Sequence, residues 1–432
     1  MYRKIMGFLE AWKASEHRKP LILQGARQVG KTYSILEFGR THYENVAYFN
    51  FETNPKLNET FAENISPDYL IPILSHIAGQ TIVREKTLIV FDEVQLCERA
   101  LTSLKYFCED APEYHIIVAG SLLGVAVNRA KFSFPVGKVD MKTLYPMDME
   151  EFLLALGEGD LAARIKQCFQ TDTPLPSALH DAAMRLYRQY LVVGGMPECV
   201  MQFAQTKDYI LVRHTQDTIL ASYLNDMSKY NTLNEIKKTH LAYDNITVQL
   251  SKKNTRFQYK LIKKGGRASE FENAIEWLCL SGIVSQVYKV EQIKKPLENY
   301  RDIDAFKIYV SDLGLLCAKK DLAANDILYM AKELDDFKGG MAENYVHVQL
   351  TISGYRTYYW ESERGGAEID FIIQREGQLI PIEVKAADNT RAKSLKLYMD
   401  TYKPAYAIKL SAKNFAFEDG KKIVPLYAAF CI

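Results

Sequence analysis

Lys19–Thr32, KPLILQGARQVGKT, decides how this chain is read. Leu21 to Gln24 is a short apolar run, and the loop that follows carries Gly25 and Gly30. Tyr33 to Arg40 (YSILEFGR) then takes up helical spacing. Strand, glycine-bearing loop and helix in that order give Gly-x-x-x-x-Gly-Lys-Thr its meaning as a phosphate cradle. The backbone amides of Gly25, Ala26, Arg27, Gln28, Val29, Gly30, Lys31 and Thr32 are expected to turn toward a phosphate, with a helix N-terminus behind them. Lys31 is expected to reach the β- and γ-phosphates, and the Thr32 hydroxyl to ligate Mg²⁺. Such a pattern arises by chance about 0.01 times in a chain of this composition.

Some 60 residues further on, Thr87–Glu93 (TLIVFDE) reads as a strand buried on both faces. Asp92 at its end suits Mg²⁺, and Glu93 is placed to polarise the water that attacks a γ-phosphate. Further strands are expected at Asn45–Glu52, Tyr114–Ser121 and Val139–Leu144, completing a parallel sheet with helices on both faces. Ser121 ends the fourth of these. It reads either as a γ-phosphate contact or as the cap of a following helix.

At 432 residues, with 48% hydrophobic and 25% charged residues, the chain suits several folded domains. Its net charge of +1 excludes any whole-molecule pull toward nucleic acid or membrane, so a basic surface has to be local. Seven scattered cysteines without a Cys-x-x-Cys pair fit free thiols in a reducing compartment. No secretory leader is visible at the N-terminus, and the longest apolar stretch, Ile116–Val127, is 12 residues where a span needs about 20. A cytoplasmic protein without a membrane partner is expected.

Residues 150–230 carry helix patterning, interrupted at Gly194-Gly195, a turn expected to pack against neighbouring backbone. From 231 to 318 the order is helix, turn, helix, strands. Within it, residues 251–267 (SKKNTRFQYKLIKKGGR) hold seven basic residues and no acidic one, with Phe257 and Tyr259 interleaved. Lys252, Lys253, Arg256, Lys260, Lys263, Lys264 and Arg267 suit salt-sensitive phosphate contacts to DNA. After 335 a helix bearing Glu343 precedes three strands. Asp370 sits in the second strand, and Glu383 and Lys385 share one face of the third. Carboxylates on adjacent strands suit a second Mg²⁺ or Mn²⁺, and Lys385 a developing phosphorane charge.

GARQVGKT, VFDEVQ, AGS, LYPMDMEEFLLALG, YLVVGGMPECV and FKIYVSDLGLL together resemble the AAA-type ATPases that carry a C-terminal "domain of unknown function 4143". The C-terminal Asp370, Glu383-x-Lys385 and Glu343 resemble the PD-(D/E)XK nuclease core. The resemblance implies an α/β multidomain chain. Its P-loop core of the AAA type would span 1–149, a helical lid 150–230, a winged-helix-like domain 231–318 and a nuclease-like α/β domain 335–432. It implies an ATP- and Mg²⁺-dependent ATPase with a metal-dependent nuclease domain at its end; DNA is expected through the basic segment 251–267, and whether the chain forms a homo-oligomer stays open. The alternative is a nucleotide-dependent switch or scaffold, binding DNA or a protein, whose nuclease-like fold is inactive. The family's Gly-Arg before the fifth strand is Gly137-Lys138 here, and Arg129 is the nearby arginine. Lys138 lacks the bidentate fork of an arginine finger.

Overall fold

The computed structural model describes residues 1–120, 134–229, 233–250, 256–362, 365–386 and 393–432. They form two compact units, Tyr2–Tyr145 with Leu280–Gly282, and Pro146–Cys279 with Ile283–Ile432.

The first unit is built on a five-stranded sheet: β1 (Leu21–Gln24), β2 (Asn45–Asn50), β3 (Thr87–Asp92), β4 (His115–Ala119) and β5 (Asp140–Thr143). The strand order is β2-β3-β4-β1-β5 and every pairing is parallel. β3 and β4 are buried at each position, which is why Leu88–Phe91 and Ile116–Ala119 are continuously apolar. β5 is the partly exposed edge, and its DMKT sequence shows it. One face of the sheet packs Ile22, Phe49, Phe91 and Val118 against Leu70, Leu74, Leu104 and Phe107. The chain leaves β1 directly into the Gly25–Gly30 loop and the helix Lys31–His42. With this strand order, the C-terminal ends of β1 and β3 flank that of β4, where ligands bind in open α/β sheets.

The second unit begins with helices Met149–Ala155, Gly159–Thr171, Ser177–Val193, Pro197–Thr206 and Tyr209–Lys229. The Gly194-Gly195 turn is forced by close backbone. A Cβ on Gly195 would lie 2.1 Å from the Met147 carbonyl oxygen, and the Gly195 amide donates to Asp312 Oδ2 at 2.6 Å. Burial pushes the Asp312 carboxyl up to about 6, against the amides that favour its ionised form.

The strands of this unit are β6 (Val284–Val290), β7 (Arg301–Val310), β8 (Tyr358–Glu361), β9 (Glu368–Arg375), β10 (Gln378–Val384), β11 (Ala407–Ser411), β12 (Ala416–Glu418) and β13 (Lys421–Pro425). They form one mixed sheet, β12-β13-β11-β10-β9-β8-β6-β7. The β6–β7 hairpin, which sequence reading assigns to a winged-helix-like segment ending at 318, pairs through β6 with β8, Tyr288 opposite Tyr358. The sheet therefore continues across the expected 318–335 boundary. Pairing satisfies an edge on each side that would otherwise present unbonded amides and carbonyls. Among the described residues no helix is long and apolar enough to cross a membrane.

Candidate nucleotide site and C-terminal carboxylate cluster

The loop after β1 has the backbone that its glycines allow. Gly25 has φ of +147°, and a Cβ there would sit 2.1 Å from the Leu144 carbonyl oxygen. Gln28 and Gly30 are left-handed at +64° and +89°. Lys31 is buried, and its ammonium donates to the carbonyls of Gly25 at 3.0 Å and Ala26 at 2.8 Å. Thr32 Oγ1 donates to Asp92 Oδ2 at 2.8 Å, which joins the two halves of the expected site across the sheet. Asp92 Oδ1 accepts the Glu93 amide at 3.0 Å. Glu93 leaves β3 with φ of +52°, an uncommon conformation for a residue with a Cβ, and its carboxylate accepts from the Gln95 amide group. The hydroxyl of Thr32 and the carboxylate of Asp92 are hard oxygen donors side by side, which fits Mg²⁺ completed by phosphate oxygens.

Two residues here carry no motif. Tyr48 donates its hydroxyl to Asp92 Oδ2 at 2.7 Å, and burial, helped by that carboxylate, pushes its phenol up to about 12. Arg3 is buried, with Nη1 on the Val29 carbonyl and Nη2 on the Tyr145 carbonyl, both at 2.8 Å. It ties the phosphate loop to the chain just beyond β5. Lys138 forms an ion pair with Glu109 at 2.8 Å, with both side chains part-exposed. Ser121 and Arg129 lie outside the described residues.

In the second unit, Asp370 on β9 and Glu383 on β10 are buried together on neighbouring strands. Asp370 Oδ2 accepts the Val384 amide at 2.7 Å. Lys385 Nζ lies 2.5 Å from Glu383 Oε1, while Glu383 Oε2 is buried with no hydrogen-bond partner among the described residues. Glu343 lies on the helix Asp335–Ile352. Its Oε2 accepts from Tyr309 OH at 3.1 Å and lies 3.6 Å from the ammonium of Lys307, which also pairs with Glu368. Among the described residues no group of three or more His, Cys, Asp or Glu is placed to hold a metal ion. Of the three expected carboxylates, Asp370 and Glu383 lie on paired strands, while Glu343 faces Lys307 and Tyr309. Two carboxylates with one orphaned oxygen still fit a hard cation that keeps several waters.

Comparison with known families matches an AAA domain over residues 17–153, a domain of unknown function (DUF8612) over 184–326 and a domain of unknown function (DUF4143) over 338–429. The chain carries an AAA domain and a 4143 domain. Among solved structures it is similar to the Aeropyrum pernix ORC2 protein, at 11% identity and TM-score 0.35 over 77% of this chain and 94% of that one. It is similar also to the Aeropyrum pernix ORC1 protein in complex with DNA, at 12% and 0.30 over 74% and 91%. A third is the Thermotoga maritima RuvB Holliday junction branch migration motor, at 15% and 0.29 over 65% and 87%. None of the curated proteins matches the chain.

The AAA domain contains the Gly25–Thr32 loop, Tyr48, Asp92 and Glu93, and Arg3 precedes it. The 4143 domain contains Glu343, Glu368, Asp370, Glu383 and Lys385, whereas Lys307 comes from the segment before it. Burial, with Glu343 and Glu383 adding repulsion, raises the Asp370 carboxyl well above the usual range. Burial raises Glu383 as well, opposed by Lys385. A carboxyl whose folded value is raised loses stability as the pH climbs from its unfolded value to the folded one, and the full cost persists above that. Asp370→Asn keeps an oxygen for the Val384 amide and removes the charge. Its thermal midpoint in EDTA is expected to exceed the parent's by about 2–4 °C at pH 8, and by less at pH 5. A lower midpoint at both pH values would remove the strain argument.

Of the basic segment, residues 251–255, with Lys252 and Lys253, lie outside the described residues. Arg256, Lys260, Lys263, Lys264 and Arg267 are exposed. Phe257 is buried and stacks on Phe306, so it belongs to the core and is not offered to a base.

Proposed function

We propose that the chain binds ATP with Mg²⁺ and hydrolyses it, engages DNA through the basic segment, and carries a metal-dependent phosphodiester-cleaving site in its 4143 domain. The contact of Thr32 with Asp92 carries the ATPase reading, because it brings two motifs 60 residues apart to one point. On binding, Lys31 exchanges the Gly25 and Ala26 carbonyls for phosphate oxygens. Thr32 and Asp92 would hold the cation, which would supply charge neutralisation to the phosphates. Glu93 takes the water proton. Titrating ATP into the protein with and without Mg²⁺ in a calorimeter tests this; absence of heat in both overturns it. The four-domain division at 149, 230, 318 and 335 stands as part of the same proposal.

The DNA reading rests on five exposed cations within residues 256–267 and no acidic neighbour in that stretch. Glu270 forms an ion pair with Lys263 at 3.4 Å and Arg256 donates to the Asp304 carbonyl at 3.0 Å, which leaves Lys260, Lys264 and Arg267 as the better phosphate contacts. Changing these three to Ala is expected to weaken DNA binding at any sequence. It should also lower the slope of log affinity against log salt by about 1 per side chain. Gel shifts at two salt concentrations measure both, and an unchanged slope would move the DNA surface elsewhere. For the 4143 domain, Asp370-dependent nicking of plasmid DNA with Mn²⁺ separates a nuclease from a nuclease-like scaffold.

A further inference from the structure

Lys307 is 2% exposed, and its ammonium faces carboxylates from two elements, Glu343 on the helix Asp335–Ile352 and Glu368 on β9. It lies 5.0 Å from the centre of the Tyr359 ring, over the electron-rich face. Enclosing an ammonium is costly unless anions surround it. Here burial lowers the Lys307 pKa, and the facing Tyr309, Glu343, Glu368 and Asp370 more than reverse that, leaving it well above the usual lysine value. The residue is therefore a fixed positive charge inside the cluster.

Glu343 and Glu368 are turned to the Lys307 ammonium, and Glu383 Oε1 to that of Lys385. The oxygens left to face a cation belong to Asp370 and Glu383, where Glu383 Oε2 is buried with no hydrogen-bond partner among the described residues. Two-cation phosphodiester sites need carboxylates on both flanks to separate their ions by about 4 Å. In this cluster one flank is already filled.

We propose that Lys307 is the resident cation of this cluster: it fills the place beside Glu343 and Glu368 that a second divalent cation would need, so that Asp370 and Glu383 take up one Mg²⁺ or Mn²⁺ and no more. Lys307 comes from β7, outside the 4143 domain, so the site is composite and the preceding segment sets its stoichiometry. Lys307 is a positioning residue here, and the inference rests on the cation reading of the cluster given above.

The test is Mn²⁺ titration of the full chain without nucleotide, followed by the electron paramagnetic resonance signal of free Mn²⁺. Asp370→Asn serves to identify uptake at the cluster. The parent is expected to take up about one equivalent that Asp370→Asn lacks. Lys307→Met, which restores a net negative flank, is expected to take up a second equivalent, and Lys307→Arg to stay at one. Two Asp370-dependent equivalents in the parent, or one in folded Lys307→Met, overturn the role of Lys307 alone. No Asp370-dependent uptake in the parent overturns the cation reading on which it rests. If circular dichroism shows Lys307→Met unfolded, the counts for the parent and for Lys307→Arg still decide, with two in either overturning the proposal.

Discussion

Lys31→Ala is expected to lose measurable ATP binding, a fall in affinity of about a hundredfold or more, by calorimetry at neutral pH in Mg²⁺. The physical case is one of charge placement. Lys31 is buried, and its ammonium is held by two loop carbonyls, Gly25 and Ala26, at the mouth of the cradle. No other side chain of the Gly25–Thr32 loop carries a positive charge except Arg27, which is half-buried. A triphosphate tail brings several negative charges into a ring of amides, and a charge-assisted hydrogen bond there is worth about twice a neutral one. Replacing the lysine also leaves its two carbonyl acceptors facing the phosphate with nothing between them, a repulsive arrangement. Lys31→Met separates the terms, since it keeps much of the apolar stem and removes only the ammonium. Both variants should bind equally poorly. ATP binding by either within threefold of the parent would show that the amides alone suffice and that Lys31 has no part in holding phosphate.

What was legible in the sequence divides by how far each feature reaches along the chain. The phosphate loop, β3 and the Asp92-Glu93 pair are local patterns: glycine spacing, a continuous apolar run, acidic residues at a strand end. Each was readable where it stands, and the parallel sheet followed from them. Arg3 and Tyr48 were not readable. Arg3 reaches a carbonyl 26 residues on and another 142 residues on, and a carbonyl partner leaves no trace in residue type. Tyr48 lies in an apolar strand where an aromatic residue has an ordinary packing role. The same applies to Lys307, which interrupts Ala305-Phe306 and Ile308-Tyr309 and reads as a surface lysine of an edge strand. Only the pairing of β6 with β8, across some 70 residues, brings it to the carboxylates. Alternation gives a strand its faces, but it carries no information on which distant strand will lie beside it. A lysine in an apolar strand, together with Asp370 and Glu383 inside the apolar strands β9 and β10 downstream, was the one available hint.

Glu93→Gln is expected to keep ATP affinity within about threefold of the parent while lowering the hydrolysis rate by about 10²–10⁴-fold, the range of a lost general base. The two residues at the end of β3 have separable work. Asp92 faces inward, with one oxygen shared by Thr32 and Tyr48 and the other on the Glu93 amide. It belongs to the cation and the loop, so its loss would damage binding. Glu93 is half-buried, turns out of the sheet through a left-handed backbone, and its carboxylate accepts from the Gln95 amide group. That strain is stored where the chain leaves the strand, and it is what points this carboxylate in a direction that an extended continuation of β3 would not. Glutamine preserves shape and the ability to accept from Gln95, yet it cannot take a proton from water. Binding is read by calorimetry and turnover by phosphate release on the same preparation. If turnover falls less than about tenfold, the base is another group. If affinity collapses along with rate, Glu93 supports the cradle rather than the attacking water.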